Sequence, residues 1–163
     1  MEEMNSDSLW NFHVWNELWM DRLDLGMNNG SYGGWQVVDA TPQEMSDGIY
    51  RCGPAPVRAI KLGEILRPYD CNFVYAEVNA DKVVWRYAGP SQPLKLLRKD
   101  TLTVGVMLST KAVGQWERED ITNFYKFPEK SRDERDTMHK ALRQTDSAFA
   151  RLVSGVLLHW RAH

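Results

Sequence analysis

Cysteine is scarce in this sequence, with only Cys52 and Cys71 among 163 residues. Two cysteines are too few to build a disulfide scaffold in a chain of this length, so we expect free thiols and a reducing compartment. The sequence also lacks a Cys-x-x-Cys pair, a Cys/His zinc spacing, a P-loop and a Gly-x-Gly-x-x-Gly segment. These absences remove the motifs that most directly indicate structural zinc or nucleotide binding.

Long runs of one residue class are missing as well. The net charge is −2 and no long basic run occurs, so nucleic acid and anionic membranes are not expected as main partners. No apolar run approaches the roughly 20 residues that a transmembrane helix needs, and the acidic start MEEMNSDS does not resemble a secretory signal. With 43% hydrophobic residues, the chain is expected to fold as one globular domain with a substantial core.

The residues that are present predict an α+β fold, mainly antiparallel sheet with a few helices. Runs rich in β-branched and aromatic residues predict strands at 9–20, 35–40, 72–80, 82–87 and 102–114. The Gly/Asn-rich loop 26–34 makes the first two an antiparallel pair, and the third and fourth are expected to be neighbours. CGPAP (52–56) predicts a turn that leads into a short helix at 57–66.

The clearest helix is predicted to begin after Ser131 and to run to about residue 153. Ser131 and Glu134 have the spacing of a capping box, in which each side chain bonds the backbone N–H of the other residue. Arg132, Asp133 and Arg135 are expected on the solvent-facing surface of this helix. The last ten residues, SGVLLHWRAH, lose the helical pattern.

A tryptophan-rich stretch surrounds His13, in SLWNFHVWNELWMDR (8–22). Trp10, Trp15 and Trp19 would exclude water from the ring, which strengthens charge interactions nearby. Asp39 ends the next predicted strand, where a carboxylate can fix the tautomer of an imidazole and stabilise its protonated form. A packed core histidine gives the same local pattern, and spacing alone does not bring the two side chains together.

A catalytic His/Asp pair normally activates a nucleophile. Cys52 lies in a predicted turn, with only Arg51 as a basic neighbour in sequence. Asp70, next to Cys71, would raise the pKa of that thiol and disfavour the thiolate. Both cysteines therefore fit a structural role better, and the residues supply two members of a possible triad.

Four oxygen-bearing residues have spacings that suit a calcium ion, which prefers carboxylate and amide oxygens. Asn79 and Asp81 are two residues apart, and Glu129 and Glu134 are five apart. The pattern is not that of an EF-hand. From spacing alone it is weak, because Asn79 could form a turn and Glu134 could cap a helix.

Five segments, in order along the chain, closely resemble the catalytic core of animal transglutaminases, most of all the invertebrate, hemocyte-type or annulin-like branch. They are WNFHVWNELWMDR, GGWQVVDATPQE, YRCGPAPVRAIKLGEI, NFVYAEVNADKVVW and STKAVGQWEREDITNFYKFPE. The resemblance covers residues 6 to about 150. It predicts part of a catalytic core at 1–153 and a non-homologous tail at 154–163.

The resemblance implies the C-terminal part of a papain-like core with a Cys–His–Asp triad. Such a core joins a protein glutamine side chain to a lysine or another primary amine and needs calcium. His13 and Asp39 match the histidine and aspartate of the triad, and Trp10 matches a tryptophan that walls the amine tunnel. The family's nucleophile lies in an upstream motif like GQCWVF, which this sequence does not contain.

The same resemblance assigns a calcium site. Asn79, Asp81, Glu129 and Glu134 match the side chains of one family site, and a backbone carbonyl near Thr101 is expected to complete it. The implied partners are proteins that carry the reactive glutamine and the acceptor amine. Location is left open between the cytoplasm and unconventional secretion.

Two other functions stay open at this point. A catalytically inactive, transglutaminase-like scaffold would resemble family members that lost the nucleophile. A papain-like hydrolase would need a cysteine before the histidine in sequence, and none precedes His13. In each case the isolated chain is expected to be inactive, because no suitable thiol accompanies the histidine and the aspartate.

Overall fold

The computed structural model describes residues 10–26, 32–42, 51–145 and 160–161. Within them the chain forms small antiparallel sheets and a few helices, which confirms the predicted α+β class. None of the described helices is both long enough and apolar enough to cross a bilayer. Most of the predicted tail lies outside the described residues, as does the predicted helix beyond residue 145.

The first sheet contains three antiparallel strands in the order β1, β2, β3. Its strands are β1 (Asn16–Met20), β2 (Gly34–Asp39) and β3 (Cys52–Pro56). The register pairs Asn16 with Val38, so the predicted antiparallel pair of β1 and β2 is confirmed. The first strand is shorter than predicted, however, and His13 lies in the irregular segment that precedes it.

The turn predicted at 52–56 is wrong, because these residues form strand β3. The strand pairs with β2 through Val37 opposite Ala55 and Asp39 opposite Cys52. Proline is tolerated here because β3 lies at the sheet edge, where one side of the strand needs no backbone donor. The sequence composition of a turn and that of a proline-bearing edge strand are therefore alike.

Helix α1 (Val57–Lys61) follows directly and is shorter than the predicted 57–66. Gly63 ends it with a φ of +62°, a backbone conformation that glycine adopts without steric cost. A Cβ atom at Gly63 would lie 2.7 Å from the backbone oxygen of Thr137. Only glycine therefore lets this end of α1 approach the C-terminal helix so closely.

Residues predicted as a strand at 72–80 instead form helix α2 (Cys71–Val78). Its buried side chains include Cys71, Val74, Tyr75 and Val78. These positions are spaced i, i+3, i+4 and i+7, the spacing of one helix face. The β-branched and aromatic composition favoured a strand, but burial along the helical face decides the structure.

The second sheet is built around β4 (Lys82–Arg86), which was predicted as a strand. Its antiparallel neighbour is β5 (Lys95–Asp100), and not residues 72–80 as predicted. The backbone of Trp160–Arg161 forms a short strand β8 that pairs with β4 in parallel.

The strand predicted at 102–114 is mostly wrong. Residues 101–106 form bends and a turn, and only a short hairpin follows, made of β6 (Ser109–Lys111) and β7 (Arg118–Asp120). Gly105 has a φ of +61°, and a Cβ atom there would lie 1.9 Å from the backbone oxygen of Val78. The glycine thus allows a close backbone approach to the end of α2.

Two further α-helices follow the hairpin, α3 (Thr122–Tyr125) and α4 (Arg132–Thr145). Ser131 Oγ accepts the backbone N–H of Glu134 at 3.1 Å, as predicted for the helix cap. The other half of the capping box is absent, because the Ser131 N–H donates to the Pro128 carbonyl. The side chain of Glu134 instead accepts hydrogen bonds from Arg135.

Candidate active site and acidic cluster

The structure brings His13 and Asp39 together. Nε2 of His13 lies 2.6 Å from Oδ2 of Asp39, and the aspartate side chain is 1% exposed. The other carboxylate oxygen of Asp39 accepts the backbone N–H of Thr41 at 2.8 Å. Asp39 is therefore fixed from two sides and presents one oxygen to the imidazole.

The end of β2 explains this placement. Asn16 opposes Val38 in the register, so the chain before β1 passes alongside the end of β2. Asp39 is the last residue of β2 and is opposite Cys52 of β3. The antiparallel pair predicted from the sequence thus delivers the irregular segment that carries His13 to the carboxylate.

Aromatic side chains flank the imidazole, but not all three predicted ones. The ring centroids of Trp10 and His13 are 4.2 Å apart in an edge-on arrangement, and Trp15 lies 6.1 Å from the same ring. Trp19 does not contribute, because it is 70% exposed and packs against Trp35. The expectation for Trp19 is wrong because Trp19 lies opposite Trp35, near the end of the β1–β2 ladder that is far from Asp39.

Trp15 is itself held by helix α3. Its indole N–H donates to the hydroxyl of Tyr125 at 3.0 Å, and Tyr125 in turn donates to the carboxylate of Glu17. Tyr125 is fully buried. This chain of hydrogen bonds fixes one aromatic wall beside His13 and links the first sheet to α3.

A second carboxylate approaches the imidazole. Oε1 of Glu77, on α2, lies 3.8 Å from Nε2 of His13. One ring atom of His13 and one carboxylate oxygen each of Asp39 and Glu77 lie within 4.8 Å of one another. We call these three side chains the dyad region. Glu77 was not among the predicted site residues because residues 72–80 were predicted as a strand; the helical spacing of the buried residues was the available signal.

Neither thiol has the character of a nucleophile. Cys52 and Cys71 are both buried and free. Burial raises the pKa of the Cys52 thiol, and the charges of Asp70, Glu77 and Asp39 raise it further. Burial likewise raises the pKa of Cys71 to about 12, and the charge of Asp70 also raises it, as predicted. Both remain protonated at neutral pH.

The second group of predicted site residues comes from three segments: the connection between α2 and β4, the loop between α3 and α4, and the start of α4. We call Asn79, Asp81, Glu129 and Glu134 the acidic cluster. Asn79, Asp81 and Glu134 are buried, with Glu134 completely inaccessible to solvent. Asp81 and Glu134 are brought together through Arg135, whose guanidinium donates to both carboxylates. Arg135 is only partly exposed, at 25%, whereas Arg132 and Asp133 are exposed as expected.

The other two members of the acidic cluster have separate partners. The amide Nδ2 of Asn79 donates to the Tyr75 hydroxyl at 3.1 Å. Glu129 accepts a hydrogen bond from the buried ammonium group of Lys126 through Oε1. Its Oε2 is buried and accepts no hydrogen bond from the described part of the chain.

The acidic cluster has the donor types of a hard cation, but the oxygens of Asp81, Glu129 and Glu134 do not all lie within 4.8 Å of one another, as the ligand atoms of the dyad region do. It offers oxygens from one amide and three carboxylates, which are the donors that calcium prefers. The buried Oε2 of Glu129 is an acceptor that a cation would satisfy. The register pairs Lys82 with Asp100, so Asp81 and Thr101, each one residue further, lie at the same end of the β4–β5 ladder.

The sequence of this chain is similar to those of several known proteins. The chain is 68% identical over 152 residues to annulin of Schistocerca americana, covering 93% of this chain and 20% of that protein. It is 52% identical over 140 residues to protein-glutamine gamma-glutamyltransferase E of Mus musculus, covering 86% of this chain and 20% of that protein. The chain belongs to the transglutaminase family.

A solved structure supports the same assignment. The crystal structure of red sea bream transglutaminase matches with a TM-score of 0.70 and 47% identity, over 88% of this chain and 21% of that one. No family model matches the sequence. This transglutaminase chain spans about a fifth of the length of the curated relatives it matches.

Proposed function

We propose that these residues serve calcium-dependent acyl transfer from a protein glutamine to a lysine or another primary amine. The observation that carries the proposal is the 2.6 Å contact between His13 Nε2 and the buried carboxylate of Asp39, beside Trp10. The relatives named as protein-glutamine gamma-glutamyltransferases supply the reaction class. The protein partners are then a glutamine donor and an amine acceptor.

The imidazole would move the proton in both halves of the reaction. A cysteine thiolate attacks the glutamine carboxamide, the C–N bond breaks, and protonated His13 gives its proton to the departing ammonia, which leaves a thioester. The incoming amine then attacks the thioester and gives a proton to the now neutral His13. The thiolate departs and an isopeptide bond remains.

Asp39 positions the ring for these steps. With Nε2 engaged by Asp39, Nδ1 is the ring nitrogen that exchanges protons with substrate. Because Asp39 is held by Thr41 as well, it keeps a fixed orientation when His13 becomes charged. Trp10 and Trp15 exclude water, which competes with the amine for the thioester and would yield glutamate.

The thiol must be provided by a segment that these 163 residues do not include. Cys52 and Cys71 are buried and protonated, so neither suits the role. We therefore propose that the isolated chain does not incorporate amines. This favours a partial enzyme over a papain-like hydrolase, and the paired His13 and Asp39 favour it over a scaffold.

Asn79, Asp81, Glu129 and Glu134 are proposed to hold calcium, together with a carbonyl near Thr101. Bound there, the ion would supply a divalent charge that ties the end of α2 and the start of β4 to the start of α4. Support comes from the donor set and from the buried Oε2 of Glu129.

Grafting tests the proposed activity. Residues 1–153 would replace the matching segment of a whole transglutaminase that has its nucleophilic cysteine, and incorporation of a labelled amine into a glutamine donor would be measured with calcium. We expect incorporation by the graft and none by the isolated chain. His13→Ala and Asp39→Asn in the graft should each lower the rate by about 10³–10⁴.

His139→Ala is the matched control, since this histidine is exposed on α4 and should leave the rate unchanged. Equal activity of the His13→Ala graft would refute the catalytic role of His13. Incorporation by the isolated chain that is lost with Cys52→Ala would refute the missing-thiol proposal.

A further inference from the structure

The guanidinium of Arg135 occupies the carboxylate oxygens of the acidic cluster. Its Nε donates to Oε2 of Glu134 at 2.5 Å and its Nη2 to Oε1 at 2.6 Å, so both oxygens of this buried carboxylate are engaged. Nη1 donates to both oxygens of Asp81, at 3.1 and 2.9 Å, and Nη2 adds a contact of 3.0 Å. One side chain thus satisfies two carboxylates from two different elements.

Two lysines extend this pattern. The ammonium group of Lys99, on β5, lies 2.6 Å from Oδ2 of Asp81. Lys126, 3% exposed, donates to Glu129 and, at 3.2 Å, to the backbone oxygen of Val104. Each carboxylate of the acidic cluster therefore has a cation of the chain itself as its partner.

We propose that Arg135 is an internal counter-ion that calcium must displace, with Lys126 in a parallel role at Glu129. This inference rests on the proposed calcium site and concerns its regulation. Arg135 therefore sets the calcium concentration at which the site fills, because the guanidinium has to leave the carboxylates before the ion can bind them.

Electrostatic repulsion prevents calcium and the Arg135 guanidinium from binding the same carboxylates at the same time. Calcium lies 2.3–2.6 Å from its oxygen ligands, and the donors of Arg135 already lie 2.5–3.1 Å from the same oxygens. Two cations on one carboxylate at these distances repel each other, and burial weakens the screening of that repulsion. The side chain of Arg135 is 25% exposed, so it has an open path to solvent when it leaves.

Linkage gives the direction of the effect. A contact that stabilises the metal-free protein and is lost on binding raises the calcium dissociation constant. Removal of Arg135 should therefore lower the thermal stability without calcium and tighten calcium binding. Removal of a residue that merely supports the fold would lower the thermal stability and also weaken calcium binding.

The test compares Arg135→Met with Arg132→Met in the full 163-residue chain. Arg132 is three residues away on the same helix, and its ion pair is with the exposed Asp136 at 3.6 Å. Its variant has the same change in net charge. Calorimetric titration with CaCl₂ and thermal melts with and without calcium are the two readouts. For Arg135→Met we expect about tenfold tighter binding and a lower midpoint without calcium. Arg132→Met should match the wild-type protein.

Lys99→Met provides a second variant that does not disturb a buried cation, since Lys99 is 49% exposed. It should tighten calcium binding by a smaller factor. An Arg135→Met protein that folds only when calcium is added also supports the proposal, because the metal then replaces the lost counter-ion.

The failures are distinguishable. If the wild type binds calcium and Arg135→Met binds it equally or more weakly, the counter-ion role is wrong and the calcium site stands. If neither the wild type nor any variant binds calcium, the calcium part of the proposed function fails and the counter-ion role fails with it.

Discussion

Two regions of this molecule bury carboxylates, and they balance the charge differently. In the dyad region, Asp39 and Glu77 face the single imidazole of His13. In the acidic cluster, carboxylates face guanidinium and ammonium groups, as Arg135 does for Glu134 and Asp81. One region thus pairs acids with a group that can gain or lose a proton, and the other pairs them with cations that stay charged.

The contrast fits the chemistry proposed for each region. A proton-transfer site needs a counter-ion whose charge changes near neutral pH, and histidine is the side chain that does so. A site for exchange of metal ions needs counter-ions that keep the carboxylates ionised and ready as ligands. The pKa of Asp81 shows this: burial works to raise it, but hydrogen bonds from Arg135 and Lys99 hold it below its ordinary value.

The thiols give the largest expected effect. Burial and the charges of Asp70, Glu77 and Asp39 all raise the pKa of Cys52. With its pKa raised from 9.0 to about 12, Cys71 should form thiolate, and so react with iodoacetamide at pH 8, about a thousandfold less than a free cysteine. Mass spectrometry of the native protein should find both thiols unmodified.

The protein unfolded in guanidinium chloride is the control, and there both thiols should react fully. Cys52→Ser then reports on Cys71 alone. Rapid labelling of either cysteine in the native protein would mean that the dyad region is more hydrated, or more positive, than the structure describes.

Glu134→Gln is expected to give the next largest effect. Glu134 is fully buried and both of its oxygens bind Arg135. An amide accepts through only one oxygen and carries no charge, so a guanidinium stays partly uncompensated. We expect the free energy of unfolding to fall by about 3 kcal/mol, the usual cost of breaking a buried ion pair. Urea unfolding followed by tryptophan fluorescence measures it.

Asp133→Asn is the matched control, because Asp133 lies in the same first turn of α4 but is exposed. Its cost should not exceed about 0.5 kcal/mol. If Glu134→Gln and Asp133→Asn lowered the free energy of unfolding equally, a buried carboxylate bound to a cation would stabilise the protein no more than one on the helix surface.

The sequence predicted much of the dyad region, and for a physical reason. Strand alternation and the loop between the two segments fixed β1 beside β2, and that antiparallel pairing alone leads the segment with His13 to Asp39. Glu77 was missed because it is reached through α2, whose residues have strand-like composition but helical burial.

The acidic cluster was less predictable. Family resemblance singled out its four members, but nothing local distinguishes Arg135 from Arg132, which lies one turn earlier on the same face of α4. Their difference comes from Asp81, 54 residues before Arg135, which accepts hydrogen bonds from Arg135. A contact of this kind depends on how the start of β4 meets α4, and the sequence pattern of the helix carries no information about it.

The smallest expected effect concerns the pH dependence of Asp81. A carboxyl whose pKa is lowered in the folded protein stabilises the fold above its unfolded pKa, and the benefit is lost as the pH falls through the folded value. Asp81 is such a group, with an ordinary pKa of 3.8. The difference in melting temperature between wild type and Asp81→Asn should therefore be constant from pH 7 to pH 5 and shrink below about pH 4.

The carboxylates of Glu134 and Asp81 raise the pKa of Arg135, so its guanidinium stays charged across this range. Asp136→Asn, at an exposed position on α4, should give a curve near zero throughout. If the Asp81→Asn difference instead grew on acidification, Asp81 would be destabilised by its surroundings when ionised. Burial would then outweigh Arg135, and the acidic cluster would lose the property that separates it from the dyad region.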